Sequence, residues 1–186
     1  MINLNENSFD STSVSIFNNG VAGVVDNVKL SKIERKTDPN SNNPDYKLIF
    51  VDSNNAEVNM AFWYLDQNKD TFAKDLTKQG KMMKHLVNCY YGENFTFPTF
   101  NTPKELLDTC MNLIMQKALT TPVRVYATYG TTQYPKKYIQ IRNYVPFIEP
   151  MNVTTSRLSS NSIDQMTRIE EDAVATSSMP ADSNII

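Results

Sequence analysis

The amino-acid sequence predicts a mainly β fold with a helical insert, which is an α+β class. Three observations support this. Apolar residues recur with a period of two in three segments before residue 66 and in two segments after residue 121. Between these groups the period lengthens to about three and a half, as in amphipathic helices. The 186 residues, 40% of them hydrophobic, suffice for one domain with a core and polar extensions.

The first three predicted strands precede the helices. The first runs from about residue 21 to 36, and its apolar positions change phase where Val24 and Val25 are adjacent. A phase change in a long strand predicts a bend or a bulge. The second strand, 46–52, and the third, 57–65, are separated by a short Asp/Ser/Asn turn. We therefore expect these two strands to form a hairpin.

Two helices follow, and both carry terminal signals. Asp70 is a candidate N-cap for a helix over residues 71–91, and Gly92 is its expected stop. The segment Thr102-Pro103-Lys104-Glu105 is a capping box with proline at the first helical position. It predicts a second helix that ends near Leu119.

The last two predicted strands cover residues 123–129 and 138–147. Three strands, a helical insert and two strands are the order of an OB-fold, so we predict a five-stranded OB-type barrel with two helices between strands three and four. An SH3-like barrel or a plain α+β sheet fits the same count. We expect a flexible N-terminal arm at 1–19, the barrel domain at 20–150, and an acidic, largely disordered tail at 151–186.

Composition limits the classes of function. The net charge is +3 between residues 20 and 149 and −3 from residue 150 onward, which is far from the strongly basic balance of a duplex-binding protein. Cys89 and Cys110 lie on the predicted helices among apolar neighbours, as buried free thiols of a reducing compartment do. No apolar run approaches ~20 residues and the N-terminus lacks a signal peptide, so we expect a cytoplasmic protein without membrane contact.

Enzyme signatures are missing from the sequence. It contains no glycine-rich phosphate loop, no Cys/His cluster with metal spacing and no nucleophile elbow. We therefore expect a protein without catalytic activity, metal or cofactor.

One segment, Tyr134–Tyr144, is rich in aromatic and basic residues. If it is a strand, Ile139 and Ile141 face the core, and aromatic rings alternate with hydrogen-bond donors on the other face. Rings with cations hold unpaired nucleic-acid strands, although an ordinary exposed β face has the same pattern. The predicted stacking residues and phosphate contacts are Trp63, Arg124, Tyr126, Tyr134, Lys136, Lys137, Tyr138, Arg142 and Tyr144.

A stripe of lysines on the first helix has two interpretations. Lys74, Lys78, Lys81 and Lys84 recur at helical spacing. They form either the solvated face of an amphipathic helix or a track for phosphates beside the barrel. Trp63 likewise is either a platform for a base or a residue packed under the helices.

In strand order and in aromatic and basic decoration, residues 20–149 resemble the OB-fold single-stranded DNA-binding proteins of tailed bacteriophages. The resemblance implies binding of single-stranded DNA in replication, recombination or repair, in the cytoplasm of a host cell. It also implies that the acidic tail recruits replication proteins, although the tail here ends in two isoleucines rather than in the family's usual tip. The residues expected to contact such a partner are Glu170, Glu171, Asp172, Asp182, Ile185 and Ile186. An alternative is a phage structural or assembly protein whose aromatic face contacts another protein. The sequence leaves the oligomeric state open.

Overall fold

An antiparallel β-sheet forms the body of the protein in the computed structural model, which describes residues 15–169. Five strands are hydrogen-bonded in the order β3-β2-β1-β4-β5, and a short sixth strand pairs with β4. The strands are β1 (Gly23–Arg35), β2 (Tyr46–Val51), β3 (Glu57–Phe62), β4 (Val123–Gly130), β5 (Pro135–Ile141) and β6 (Ile148–Pro150). This confirms the predicted mainly β fold with a helical insert, whereas β6 was not predicted.

Strand β1 is bent, as its change of phase predicts. Its first half pairs with β4 and its second half pairs with β2. The register shifts between Val25 and Val28 on one side and between Leu30 and Lys32 on the other. Asn27, inside the first irregularity, has a φ of 58°, a left-handed value that asparagine tolerates better than most residues. The bend lets one strand serve both halves of the sheet.

The helices are α1 (Phe72–Tyr91) and α2 (Pro103–Lys117). The end of α1 and the start of α2 lie where the local sequence signals predict them. Gly92 ends α1 with a φ of 94°, as expected. At the other end the N-cap is Thr71 rather than Asp70, and its hydroxyl donates to the Asp75 carboxylate at 2.7 Å. The hydroxyl oxygen of Thr102 accepts the backbone N–H of Glu105 at 3.1 Å, which confirms the predicted cap of α2.

The core lies between the sheet and the two helices. Strand β3 alternates strictly, with Val58, Met60 and Phe62 buried and the residues between them exposed. Leu86 of α1 and Ile114 of α2 are fully buried in the same hydrophobic core. Burying an aliphatic or aromatic side chain of this size contributes about 1.5–3 kcal/mol to the free energy of folding. These buried side chains therefore stabilise the packing of the helices on the sheet.

The two outer strands of the sheet approach each other. Cα atoms of β3 and β5 come within 8 Å, but within residues 15–169 no hydrogen-bonded ladder joins the two strands. The described sheet is therefore open along this seam. In the same range, neither helix has the length and apolar character needed to cross a bilayer.

Both predicted domain boundaries require correction. Phe17 is buried in a short 3₁₀ turn (Phe17–Gly20), so the ordered body begins before residue 20. Residues 151–169 also belong to the body, because Leu158 is buried and Gln165 bonds to β4 through its backbone. The N–H of Gln165 donates to the carbonyl of Gly130 at 3.1 Å, and its carbonyl accepts from the N–H of Tyr129 at 2.8 Å. The six expected partner-binding residues of the tail lie outside the described range.

Candidate nucleic-acid interface

A groove runs between α1 and the hairpin that joins β4 to β5. We call it the hairpin groove, and its volume is about 620 Å³. The side chains that matter for its chemistry are Lys74, Lys78, Tyr134, Lys136, Gln140 and Tyr144. Three separate segments of the chain thus supply one surface.

Lysines give the hairpin groove its charge. Lys74 and Lys78 are one turn apart on α1, and Lys136 faces them from β5. All three are exposed, and none forms an ion pair with any residue between 15 and 169. Uncompensated cations along a groove attract phosphate groups. Two members of the predicted lysine stripe therefore face this groove, whereas Lys84 lines a different one.

Exposed aromatic rings lie beside these lysines. Tyr134 is 66% exposed at the hairpin tip and Tyr138 is 71% exposed on β5, on the same strand face as Lys136 by alternation. The Lys137 ammonium lies 5.9 Å from the centre of the Tyr138 ring. These four residues have the exposure that the sequence predicted for them.

The tip of the hairpin depends on Gly130. Its φ is +84°, which L-residues rarely adopt. A Cβ atom there would lie 2.5 Å from the carbonyl oxygen of Tyr134, a backbone atom that cannot easily move aside. The tight turn that carries Tyr134 into the groove therefore requires glycine at this position.

A smaller cavity adjoins the hairpin groove. We call it the Trp63 pocket; its volume is about 250 Å³, and Phe62, Trp63, Leu65, Gln79 and Met82 are among the residues that line it. Trp63 follows the last residue of β3 and is 51% exposed, so it is not packed under the helices. Lys78 and Asn143 line both cavities, so the two are adjacent.

Two predicted contacts with nucleic acid are wrong in their placement. Strand β5 ends at Ile141, so the alternation that put Arg142 on the outer face stops one residue earlier. Arg142 is 2% exposed and Tyr126 is 3% exposed. The guanidinium lies 3.8 Å from the centre of the Tyr126 ring and is bound by the carboxylate of Asp164. Neither side chain is available to a ligand.

Tyr144 has an intermediate position. Its hydroxyl donates to the carboxylate of Asp164, while other atoms of the residue line the hairpin groove. Burial, and then the hydrogen bond to Asp164, raise the pKa of Tyr144 to about 12, so the hydroxyl stays protonated at neutral pH. Part of this residue therefore remains accessible from the groove, although its polar end is committed to the body.

Arg124 is also unavailable to a phosphate, because its guanidinium is ion-paired. Its guanidinium donates to Asp26 and, at 2.7 Å, to the carboxylate of Glu149 on β6. Burial opposes ionisation of Glu149, but bonds from Ser156, Arg124 and the backbone of Arg157 outweigh it and lower the pKa of this carboxyl. The arginine therefore joins β4 to β6, and its charge is compensated by two carboxylates.

Three residues that line or support these cavities carried no sequence signal for such a role. Gln79 and Asn143 are ordinary polar residues of a helix and a loop. Asp164, which binds the Tyr144 hydroxyl, lies in a tail expected to be largely disordered. The helical spacing of Lys74 and Lys78 and the aromatic and basic residues of the Tyr134–Tyr144 segment did point to the groove. Comparison of the chain with protein-family models, with curated proteins and with solved structures finds no match.

Proposed function

We propose that this protein binds single-stranded DNA in the hairpin groove and that it protects or organises the strand during replication, recombination or repair. One observation carries the proposal. Three lysines that form no ion pair with a described residue line one groove together with the exposed Tyr134 and the half-buried Tyr144, although these residues come from distant parts of the chain. Phosphates contact the lysines, and unpaired bases stack on the rings.

A single strand suits this groove better than a duplex. Exposed rings such as Tyr134 and Tyr138 can stack only on bases that are not already stacked in a helix. The body is only mildly basic, whereas duplex-binding domains carry a large excess of positive charge. The proposal therefore places the binding energy in stacking as well as in phosphate contacts.

The type of cation also favours nucleic acid over a protein partner. Arginine is enriched and lysine depleted in protein–protein interfaces. Here Arg124 and Arg142 are held in ion pairs, and the exposed cations of the groove are lysines. A structural or assembly role for this face is therefore the weaker alternative.

We further propose that the sheet is a partly open OB-type barrel. Support comes from the strand order and from the approach of β3 to β5, the seam at which such a barrel closes. In OB-folds the loop between strands four and five contributes to oligonucleotide binding. The corresponding loop here, residues 131–134, lines the hairpin groove.

Fluorescence anisotropy of labelled oligo-dT at several salt concentrations tests the proposal. Affinity should fall as salt rises, because phosphate contacts release counterions. Replacing Lys74 and Lys78 by alanine should reduce the slope of log K against log salt by about 1.4, at roughly 0.7 per phosphate contact. The matched control replaces Lys29 and Lys84, which are exposed, form no ion pair with a described residue and lie outside the groove.

The two possible failures have different meanings. If the wild-type chain binds no single strand at low salt, the proposed function is wrong. If it binds but the two double variants behave alike, the groove is not where the strand lies.

A further inference from the structure

The Trp63 pocket combines features that the hairpin groove lacks. Its walls include the apolar side chains of Phe62, Leu65 and Met82, and one side is the half-exposed indole of Trp63. A half-exposed tryptophan beside an apolar cavity offers a free ring face for stacking. The volume of about 250 Å³ lies below the usual range of drug-sized sites, so the pocket suits one planar ring.

Gln79 places an unused hydrogen-bond acceptor at this cavity. The residue is only 8% exposed, and its Nε2 donates to the backbone carbonyl of Trp63 at 2.9 Å. That bond identifies which end of the amide is nitrogen and which is oxygen, because only the nitrogen can donate. Oε1 is buried and has no hydrogen-bond partner among the described residues. A buried acceptor without a partner destabilises the folded state, and such atoms are uncommon in folded proteins.

Two residues connect the pocket to the strand's expected path. Lys78 and Asn143 line both the Trp63 pocket and the hairpin groove. Lys78 has no ion pair with a described residue, so its ammonium can bind a phosphate of the strand. Because Lys78 lines both cavities, the base attached to that phosphate would lie beside the Trp63 pocket. The Asn143 amide is exposed at the same junction.

We infer that the Trp63 pocket accepts one unpaired base of the bound strand, stacked on Trp63, with an N–H of its pairing edge donated to Oε1 of Gln79. This inference rests on the proposed function and adds a base-reading subsite to it. Oε1 is shielded from solvent, so the amide turns slightly toward the ring as the base enters. A base in a duplex cannot take this place, because the N–H groups of its pairing edge are already bonded to the partner base and its ring is already stacked on its neighbours. The pocket therefore selects unpaired bases by chemistry and not only by charge.

The test uses the fact that Trp63 is the only tryptophan of the chain. Intrinsic fluorescence of the full-length protein reports on the pocket, while anisotropy of a labelled oligonucleotide reports on binding anywhere. Three strands of equal length are compared: oligo-dT, an abasic strand with the same phosphates, and a strand of N3-methylthymidine. The methyl group removes the donor but leaves the ring able to stack.

We expect oligo-dT to quench Trp63 emission and the abasic strand to bind without quenching. The wild-type chain should prefer thymidine over N3-methylthymidine by about five- to tenfold, as one hydrogen bond contributes. Gln79→Leu, checked for folding by circular dichroism, should lose this preference and keep its affinity for the abasic strand. Trp63→Phe keeps a ring and should retain the preference.

The outcomes separate the two proposals. Absence of any binding at low salt overturns the proposed function and this inference together. Binding of oligo-dT without a change in Trp63 emission overturns the inference alone. The same holds if Gln79→Leu discriminates between the two thymidine strands as well as the wild type does.

Discussion

Replacing Asp164 by asparagine tests whether residues 151–169 are an integral part of the fold. The Asp164 carboxylate binds the Arg142 guanidinium, the Tyr144 hydroxyl and, at 2.8 Å, the backbone N–H of Asn161. The ion-paired side chains are 2% and 0% exposed. Asparagine keeps the shape but leaves Arg142 buried without a counter-ion. Breaking a buried pair in this way costs about 3–5 kcal/mol.

The expected change in the thermal midpoint follows from this free energy. For a chain of this size, 1 kcal/mol corresponds to roughly 2–4 °C, so Asp164→Asn should lower the midpoint by about 6–20 °C. Circular dichroism during heating and urea titration measures both quantities. The matched control is Glu93→Gln, which breaks the exposed pair with Arg157 and should cost no more than about 1 kcal/mol.

A double variant tests whether the loss of stability comes from the unpaired charge of Arg142. Replacing Arg142 by methionine together with Asp164 by leucine removes both charges, so no buried charge is left unpaired. This double variant should be more stable than Asp164→Asn. If Asp164→Asn and Glu93→Gln are equally stable, the buried ion pair does not stabilise the fold, and residues 151–169 are only loosely attached to the body.

Three further results are expected. Ile141→Ala should cost about 2–5 kcal/mol in urea titrations because Ile141 is buried, whereas Tyr138→Ala should leave stability within ~0.5 kcal/mol and weaken oligo-dT binding by about 1–3 kcal/mol. Bonds from Ser156, Arg124 and the backbone of Arg157 lower the folded-state pKa of Glu149 below its unfolded value of 4.5, so its stabilisation is present above that pH and is lost as pH falls through the folded pKa. Glu149→Gln should therefore flatten the decline of the thermal midpoint as pH falls below 4.5, and an unchanged profile would contradict this. Burial raises the pKa of Cys89 to about 12 and that of Cys110 to about 11, so both thiols stay protonated and unreactive near neutral pH. A thiol-specific dye at about pH 8 should therefore label neither cysteine until guanidinium unfolds the chain.

Local signals predicted most of the secondary structure. The adjacent Val24 and Val25 indicated the bend of β1, Gly92 ended α1, and the capping box at Thr102 began α2. Each of these features depends on residues within a few positions of one another. Their chemistry is therefore visible in the sequence without knowledge of the tertiary structure.

The errors at the site came from contacts between distant residues. Alternation put Arg142 outside because nothing in the sequence showed that β5 ends at Ile141. Its buried counter-ion, Asp164, lies 22 residues further along the chain in a segment that has no apolar periodicity. The bond between Gln79 and the carbonyl of Trp63 likewise joins a helix to the end of a strand, which only the packed structure reveals.

The bend of β1 has a consequence for the protein's synthesis on the ribosome. The second half of β1 finds its partner in β2 soon after it leaves the exit tunnel, and β3 then completes a meander. The first half must wait, because Val25 pairs with Val125, one hundred positions later. At about 5–20 residues per second, this half remains an unpaired edge for on the order of 5–20 s. The nascent chain is therefore most exposed to misassociation while its helices are being made.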